Sequence, residues 1–258
     1  MENKKKDLKE MIALGSKTAR GGFGNERDIA KKFESWKNDA DAQEWLVLMG
    51  YKINEIEKVE AEILHGYKTD LQVKIIIYLK KAISSENLSI KLVSNPTGFN
   101  QVDKRWVDKY VEMWEIPDDV VKLLKMFTGE IKPLSTLKLK DKRKMFFTEM
   151  DKVSQDKVID FFSKNKILVV SDILKGRDIM PAEWMLVALN INNKMHWVLK
   201  SINKVMNIFG TGDVRFTKKG NLKIGKIGMQ RKGGDGGRDT AKMLQFKINP
   251  VELFKTAN

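Results

Sequence analysis

The stretch Tyr67–Asn95, YKTDLQVKIIIYLKKAISSENLSIKLVSN, changes the periodicity of the chain from helical to strand-like. Leu71–Leu79 is rich in β-branched residues, and Leu88–Ser94 alternates apolar with polar residues, so both are predicted strands. The polar residues Ser84–Asn87 are predicted to connect them. We therefore expect two neighbouring strands of one sheet, with Asp70 at the head of the first.

Lys91 lies inside the second of these strands. Alternation puts Ser89 and Lys91 on one face of the strand and the apolar residue between them, Ile90, on the other. Asp70 and Lys91 would then meet at one end of the strand pair, where Asp70 holds a divalent cation and Lys91 orients a water or stabilises an anionic transition state. Hydrolysis of a phosphodiester needs these groups. The alternative is that Asp70 only starts a strand and that Lys91 is solvated on an edge strand.

Helices are predicted before this stretch. Asn25 can cap a first helix whose face carries Ile29 and Phe33. A second amphipathic run, DADAQEWLVLMG, ends at Gly50, as expected for a helix C-terminus. The run Asn54–Leu64 repeats apolar residues at helical spacing and predicts a third helix.

After the stretch, helical spacing returns in Val102–Trp114 and in a helix that Asp118 caps and Gly129 ends. Another helix is predicted over Ser154–Ser163, followed by a buried strand over Ile167–Asp172. The C-terminal third is strand-rich, through EWMLVALNI, MHWVLKSI, VRFT and NLKIGKIGMQRK. This order predicts a mixed α/β fold in which helices flank a central mixed β-sheet.

The composition bounds the class of protein. The 258 residues suit one domain over residues 1–258, with a basic N-terminal tail at 1–20. A formal net charge of +14 favours a polyanionic partner such as nucleic acid, although evenly spread basic residues would give the same charge. The absence of cysteine excludes disulfides, zinc ribbons and thiol catalysis. The two histidines lie far apart in the sequence, so a site built on a cluster of histidine ligands is not expected. The apolar run near the start is too short for a signal peptide, so we expect a cytoplasmic protein.

Two further stretches could contact DNA. In MQRKGGDGGRDTAKMLQFKI, the arginine and glutamine side chains of Gln230, Arg231 and Arg238 could read base edges, whereas Lys232 and the amides of the glycine-rich loop suit phosphates. The alternative is a flexible basic loop; a Walker loop is excluded because no Lys-Ser or Lys-Thr follows the glycines.

The other stretch, NPTGFNQVDKRW, follows the strand of Lys91. Asn100 and Gln101 are predicted to lie in a loop and to reach bases, and Lys104 could hold a phosphate. A helix cap with a solvated first turn would explain the same residues.

Several segments together resemble a known family. They are GSKTARGGFGNERDIAKKFESW, GYKTDLQVKI, KLVSNPTGFNQVDKRW, FTGE, KDKRKMFFTE and QRKGGDGGRDTAKMLQFKINP. They resemble, in order and spacing, type II restriction endonucleases of the PD-(D/E)XK superfamily, in the MspI-like group that includes an enzyme cleaving GCGC. The similarity extends from about Gly15 to Phe254.

The resemblance implies the PD-(D/E)XK fold and Mg²⁺-dependent hydrolysis of double-stranded DNA at a short palindrome such as GCGC. It also implies a cognate DNA methyltransferase in the same cell, and an enzyme that acts as a monomer or homodimer. Two other functions stay open: a structure-specific repair or junction nuclease, and a DNA-binding protein whose nuclease site has decayed.

By position, the resemblance makes Asp70 the metal ligand and Lys91 the catalytic lysine. Ser89 stands where most members have an acid, so the carbonyl of Ile90 or a water would complete the metal site. Glu26 matches an acidic residue near the metal on the first helix, or it only favours the helix dipole. Gln101 and the Gln230–Lys232 segment match positions that contact DNA in the relative.

Overall fold

A computed structural model describes residues 24–64, 72–133, 139–177, 179–234 and 238–256. The tail at 1–20, Asp70, Leu71 and Lys138 lie outside the described residues. The helices and strands are α1 (24–34), α2 (Ala40–Leu48), β1 (Ile56–Leu64), β2 (Gln72–Leu79), β3 (Ala82–Val93), β4 (Asn100–Arg105), α3 (Val107–Trp114), α4 (Asp118–Thr128), α5 (Lys152–Lys164), α6 (Lys166–Leu174), β5 (Trp184–Ile191), β6 (Lys194–Ser201), α7 (Ile202–Gly210), β7 (Val214–Phe216), β8 (Leu222–Ile224), β9 (Ile227–Arg231) and β10 (Leu244–Ile248). None of the described helices is long and apolar enough to cross a membrane.

The chain forms two compact units, each assembled from separate segments. The β3 unit contains the described residues up to Asn100, then Leu174–Met206 and the residues from Asn249 onward. The β9 unit contains Gln101–Ile173 and Asn207–Ile248. The single domain over residues 1–258 stays a prediction.

The β3 unit is built on a five-stranded sheet in the order β1-β2-β3-β5-β6. Its neighbouring strands are antiparallel except β3 and β5, which are parallel. Helices α1 and α2 share one buried cluster with this sheet: Phe33 and Trp45 pack at a ring-centroid distance of 5.3 Å, and the cluster includes Leu88 and Ile90 of β3. The predicted mixed sheet with flanking helices is confirmed.

The prediction of a third helix over Asn54–Leu64 is wrong, because these residues form a short 3₁₀ turn and strand β1. β1 pairs with β2, and the register shifts between Ile56 and Lys58. Such a bulge adds one residue to the strand. Ile56 and Val59 are therefore both buried although they stand three apart, a spacing that imitates a helix.

The predicted connection at Ser84–Asn87 is also wrong. The turn lies at residues 80–81, and the polar residues belong to β3. Their side chains bind neighbours instead: the Glu86 carboxylate accepts hydrogen bonds from Tyr51 Oη at 2.6 Å and from Trp184 Nε1 at 2.8 Å. Polar residues are tolerated in a strand interior when such partners exist.

The β9 unit contains a second sheet in the order β4-β10-β9-β8-β7. Tyr110 and Trp114 of α3 stack on each other at 4.7 Å, and both rings meet Phe246 of β10 edge-on. The helical prediction for Val102–Trp114 is therefore correct only from Val107 onward, since Val102 lies in strand β4.

The buried strand predicted over Ile167–Asp172 is helix α6. Val169, Val170 and Ile173 are buried whereas Ile167 is 87% exposed, which is helical periodicity. A short apolar run does not distinguish a strand from a helix.

The helix ends follow the glycine signals more closely than the capping signals. Gly50 and Gly129 have φ of 95° and 82°, the left-handed conformation expected after a helix. In contrast, Asn25 lies within α1, and Pro117 takes the N-cap position that was predicted for Asp118.

The four strand-rich segments of the C-terminal third are confirmed as strands. NLKIGKIGMQRK is divided into β8 and β9 by a turn at Gly225, whose φ is 57°.

Candidate active site and nucleic-acid interface

Lys91 lies on the middle strand of the β3-unit sheet. It is 5% exposed and pairs with Val187 of β5, and Ser89 on the same face is 7% exposed. The interpretation of Lys91 as a solvated lysine on an edge strand is therefore wrong. Burying an ammonium inside a sheet costs free energy that polar or oppositely charged neighbours must offset, so lysine is an uncommon residue at such a position.

The same sheet face carries a second buried lysine that sequence reasoning missed. Ser89 pairs with Met185 of β5, and Met185 pairs with Lys200 of β6, so these side chains share one face. Lys200 Nζ donates a hydrogen bond to the carbonyl of Thr256 at 3.0 Å. Burial, followed by the nearby charge of Lys204, lowers the pKa of Lys200. Lys200 thus joins the end of the chain to the face that carries Lys91.

Candidate metal ligands in the described residues are all oxygen donors. They are the carboxylate of Glu26, which is 4% exposed on α1, the hydroxyl of Ser89 and the carbonyl of Ile90. Asp70, the principal predicted ligand, lies outside the described residues. Within the described ranges, no three His, Cys, Asp or Glu side chains cluster as a closed metal site would require. This donor set fits Mg²⁺, which prefers oxygen and keeps several waters.

The segment Gln230–Lys232 ends β9 and leads into the glycine-rich loop. Gln230 pairs with Gln245 of β10, and Arg231 Nε donates to the carbonyl of Ala241 at 3.0 Å. The amide of Lys232 donates to the carbonyl of Met243 at 2.8 Å. This end of the loop is therefore anchored, in contrast to the alternative of a flexible loop; residues 235–237 lie outside the described ranges.

Two cavities in the β9 unit are lined by three of the predicted DNA-contacting residues, Gln230, Arg231 and Arg238. The Arg238 cavity, of about 620 Å³, is lined by six cationic side chains, Lys132, Lys142, Arg143, Arg231, Arg238 and Lys242. Its described acidic residue, Asp239, forms an ion pair with Lys242 at 2.9 Å.

The neighbouring Lys144 cavity, of about 820 Å³, is bordered by Gln230 and Arg231. Its remaining cationic side chains are Lys140, Lys142, Arg143, Lys144, Lys218 and Lys219. Asp141 also lines it, and the guanidinium of Arg143 binds that carboxylate at 2.9 Å and holds its pKa at about 2. Both cavities therefore present a strongly positive, concave surface that suits a polyanion.

Asn100, Gln101 and Lys104 lie in strand β4, so the predicted loop for Asn100 and Gln101 and the predicted helix for Lys104 are both wrong. Asn100 Nδ2 donates to the carbonyl of Leu92 at 3.0 Å, which gives this side chain a structural contact. Gln101 and Lys104 are half-buried, and neither lines either cavity.

The lysines of the Lys144 cavity received no role from the sequence. They come from two runs of basic residues, KDKRK at Lys140–Lys144 and the KKG turn at Lys218–Gly220. Runs of this kind are a recognised sign of a nucleic-acid surface, but it takes the fold to bring the two runs together.

Comparisons with known proteins were made on the sequence and on the structure. The sequence profile of the R.HinP1I restriction endonuclease family matches residues 49–254. No curated protein sequence matches the chain. The crystal structure of restriction endonuclease MspI in complex with its cognate DNA is similar with a TM-score of 0.62 over 92% of each chain, at 14% sequence identity. At that identity the likeness establishes the fold alone, which is the predicted PD-(D/E)XK restriction-endonuclease fold.

Proposed function

The chain belongs to the R.HinP1I restriction endonuclease family and is a type II restriction endonuclease, and we propose that it hydrolyses double-stranded DNA at GCGC with Mg²⁺ as cofactor. The observation that carries the catalytic part of this proposal is the burial of Lys91 on the central strand of the sheet.

The register of β2 against β3 supports a joint role for Asp70 and Lys91. Gln72 is paired with Ser89 in an antiparallel arrangement. Asp70 precedes Gln72 by two residues in the sequence, and Lys91 follows Ser89 by two. We therefore assign the carboxylate of Asp70 and the ammonium of Lys91 to one site at this end of the strand pair.

The carboxylate of Asp70 would hold Mg²⁺, with the carbonyl of Ile90 and the carboxylate of Glu26 as further oxygen donors. Mg²⁺ neutralises charge on the phosphate and lowers the pKa of a bound water. Lys91 would donate hydrogen bonds to the attacking water or to the developing phosphorane oxygen. Ser89 is a neutral residue at a position that is acidic in most of the superfamily, so the site carries one negative charge fewer and holds metal less strongly.

Base recognition is assigned to the β9 unit. Arg231 is suited to the O6 and N7 atoms of guanine, and Gln230 offers both a donor and an acceptor to a base edge. Lys232 and Arg238 are assigned to phosphates. GCGC as the site is supported by the resemblance of the loops to the enzyme that cleaves that sequence. A cognate methyltransferase that modifies the same site would protect the DNA of the cell.

The test is digestion of unmethylated plasmid DNA by the purified protein, in Mg²⁺ and in EDTA, followed by sequencing of the fragment ends. Fragments that require Mg²⁺ and end at GCGC support the whole proposal. Discrete fragments with another end sequence would overturn the assignment of the site only, whereas preferential cutting of branched DNA would indicate a structure-specific nuclease. Intact DNA that is still bound in a gel shift would mean that Ser89 marks a decayed active site.

A further inference from the structure

We propose that the Lys144 cavity binds a backbone phosphate of duplex DNA and that this contact adds affinity without reading a base. The inference rests on the proposed function, because it takes DNA as the substrate. It adds a site made of Lys144 and the lysine turn at Lys218–Lys219, beside the proposed base-reading side chains Gln230 and Arg231.

Hydrogen bonds fix both ends of the segment that carries Lys144, so the cavity is preformed. The Glu149 carboxylate accepts one hydrogen bond from the amide of Lys140 at 2.7 Å and another from the amide of Phe146 at 2.8 Å. The amide of Met145 donates to the carbonyl of Met126 on α4 at 3.0 Å. These bonds hold the basic loop against α4 before any ligand arrives, which reduces the entropy cost of binding.

The turn at Lys218–Lys219 is held against the same loop. Phe147 donates its amide to the carbonyl of Gly220 at 3.2 Å. A Cβ atom at Gly220 would come within 2.7 Å of the Cβ atom of Phe146, and the φ of Gly220 is 80°, so glycine allows this close approach. The ring of Phe147 stacks on Phe127 at 4.1 Å and on Phe216 at 5.3 Å, which joins the loop, the helix and the β7–β8 hairpin.

The ammonium group of Lys144 contacts two aromatic rings. It lies 4.0 Å from the ring centroid of Phe146 and 5.2 Å from that of Phe127. Burial, followed by the charge of Arg231, lowers the pKa of Lys144 to about 8, although the carboxylate of Asp141 acts in the opposite direction. An anion in the cavity would favour the charged ammonium and relieve the repulsion among the cations.

The chemistry of the cavity favours a phosphate over a base edge. Lysine ammoniums act as point charges and contact phosphates without a fixed geometry, whereas base reading uses planar, bidentate groups. Such groups stand at the border of the cavity, in Gln230 and Arg231. The one acidic side chain among the described lining residues, Asp141, is already bound by Arg143.

The experiment measures Kd for a duplex that contains the cleavage site and for one that lacks it, with the full chain in EDTA, at several salt concentrations. The variants are Lys144→Gln and the double variant Lys218→Gln/Lys219→Gln. The double variant changes only an exposed turn, so it provides the test if Lys144→Gln folds poorly. Lys164→Gln, on the exposed face of α5, is the matched charge control.

One phosphate contact is worth about 0.9 units in the slope of log K against log salt, or about tenfold in Kd at 0.1 M salt. We expect Lys144→Gln to weaken both duplexes about tenfold and to reduce the slope by about one, with no change for Lys164→Gln. A loss confined to the site-containing duplex would make Lys144 a base contact and overturn the inference. Unchanged Kd in both cavity variants would overturn it as well.

A pH series gives a second readout. The groups that face Lys144 are Arg231 from β9, Asp141 and Arg143 from its own loop, and Glu149. Since the pKa of Lys144 is about 8, wild-type affinity should fall as the pH rises from 7 to 9. Lys144→Arg keeps its charge and should lose most of this dependence.

The Kd measurements separate two failures. If the wild-type protein binds and cuts DNA but neither Lys144→Gln nor the double variant changes Kd, the phosphate site is refuted and the proposed function stands. If the wild-type protein neither binds nor cuts DNA, both are refuted.

Discussion

The close approach of Gly129 to the loop of Lys144 makes a quantitative prediction for Gly129→Ala. Gly129 ends α4 with a φ of 82°, and an added Cβ atom would overlap the carbonyl oxygen of Arg143, which would have to move by about 1 Å. Gly50→Ala is the matched control, because Gly50 also follows a helix, has a φ of 95° and has nothing within 4 Å of an added Cβ atom.

The left-handed conformation costs an alanine about 1–2 kcal/mol at either position. The overlap with Arg143 adds about 1–3 kcal/mol for Gly129→Ala only, as overpacking does in cores. The loss of unfolded-state entropy is the same for both and cancels. We therefore expect Gly129→Ala to lower the free energy of unfolding by about 1–3 kcal/mol more than Gly50→Ala does.

Urea denaturation followed by circular dichroism measures both changes in the free energy of unfolding. Binding of a duplex without the cleavage site gives a second readout, since displacement of Arg143 should also weaken DNA binding by Gly129→Ala. Equal destabilisation by the two substitutions would refute the packing of the loop against Gly129, and with it the view that the Lys144 cavity is preformed.

Four other substitutions test the site and the core. Asp70→Ala and Lys91→Ala should each abolish cleavage but keep DNA binding in gel shifts, and full cleavage by either variant would disprove its catalytic assignment. Arg231→Ala should lose about 1–3 kcal/mol of discrimination, measured as the ratio of Kd values for GCGC and a single-base variant; an equal loss on both duplexes would instead make it a phosphate contact. Tyr110→Phe removes the hydrogen bond from the tyrosine hydroxyl to the buried carboxylate of Asp103 and should lower the free energy of unfolding by about 1.5–3 kcal/mol, whereas a wild-type urea midpoint would show that this bond contributes nothing.

Sequence periodicity predicted the elements whose burial is regular and failed where a local irregularity intervened. Gly50 and Gly129 marked two helix ends correctly, because glycine adopts the left-handed backbone conformation without the steric cost that other residues have. In β1, one extra residue at the bulge changed the phase of burial, so a strand had the spacing of a helix. In α6, the run ILVVSD was too short to reveal its period, and only packing shows that Ile167 faces solvent.

The candidate site, like the fold, could be predicted only in part from the sequence. Alternation placed Ser89 and Lys91 on one face, but the central position of β3 depends on its parallel pairing with β5, and no local pattern predicts which strands pair across such a distance in the chain. Lys200 was missed for the same reason, since its neighbour across the sheet is Met185. The two lysine runs were visible as charge, but their convergence depends on hydrogen bonds such as that between Phe147 and Gly220.

The parallel pairing of β3 with β5 also has a consequence for the newly made protein. Val93 ends β3 and Trp184 begins β5, so the ribosome adds about 90 residues before the parallel partner of β3 begins to appear. At ordinary rates of synthesis this takes about 5–20 s. During that interval Lys91 has no strand on its β5 side. A chain released early therefore lacks an assembled sheet around Lys91, and translation itself delays the appearance of a nuclease inside the cell that makes it.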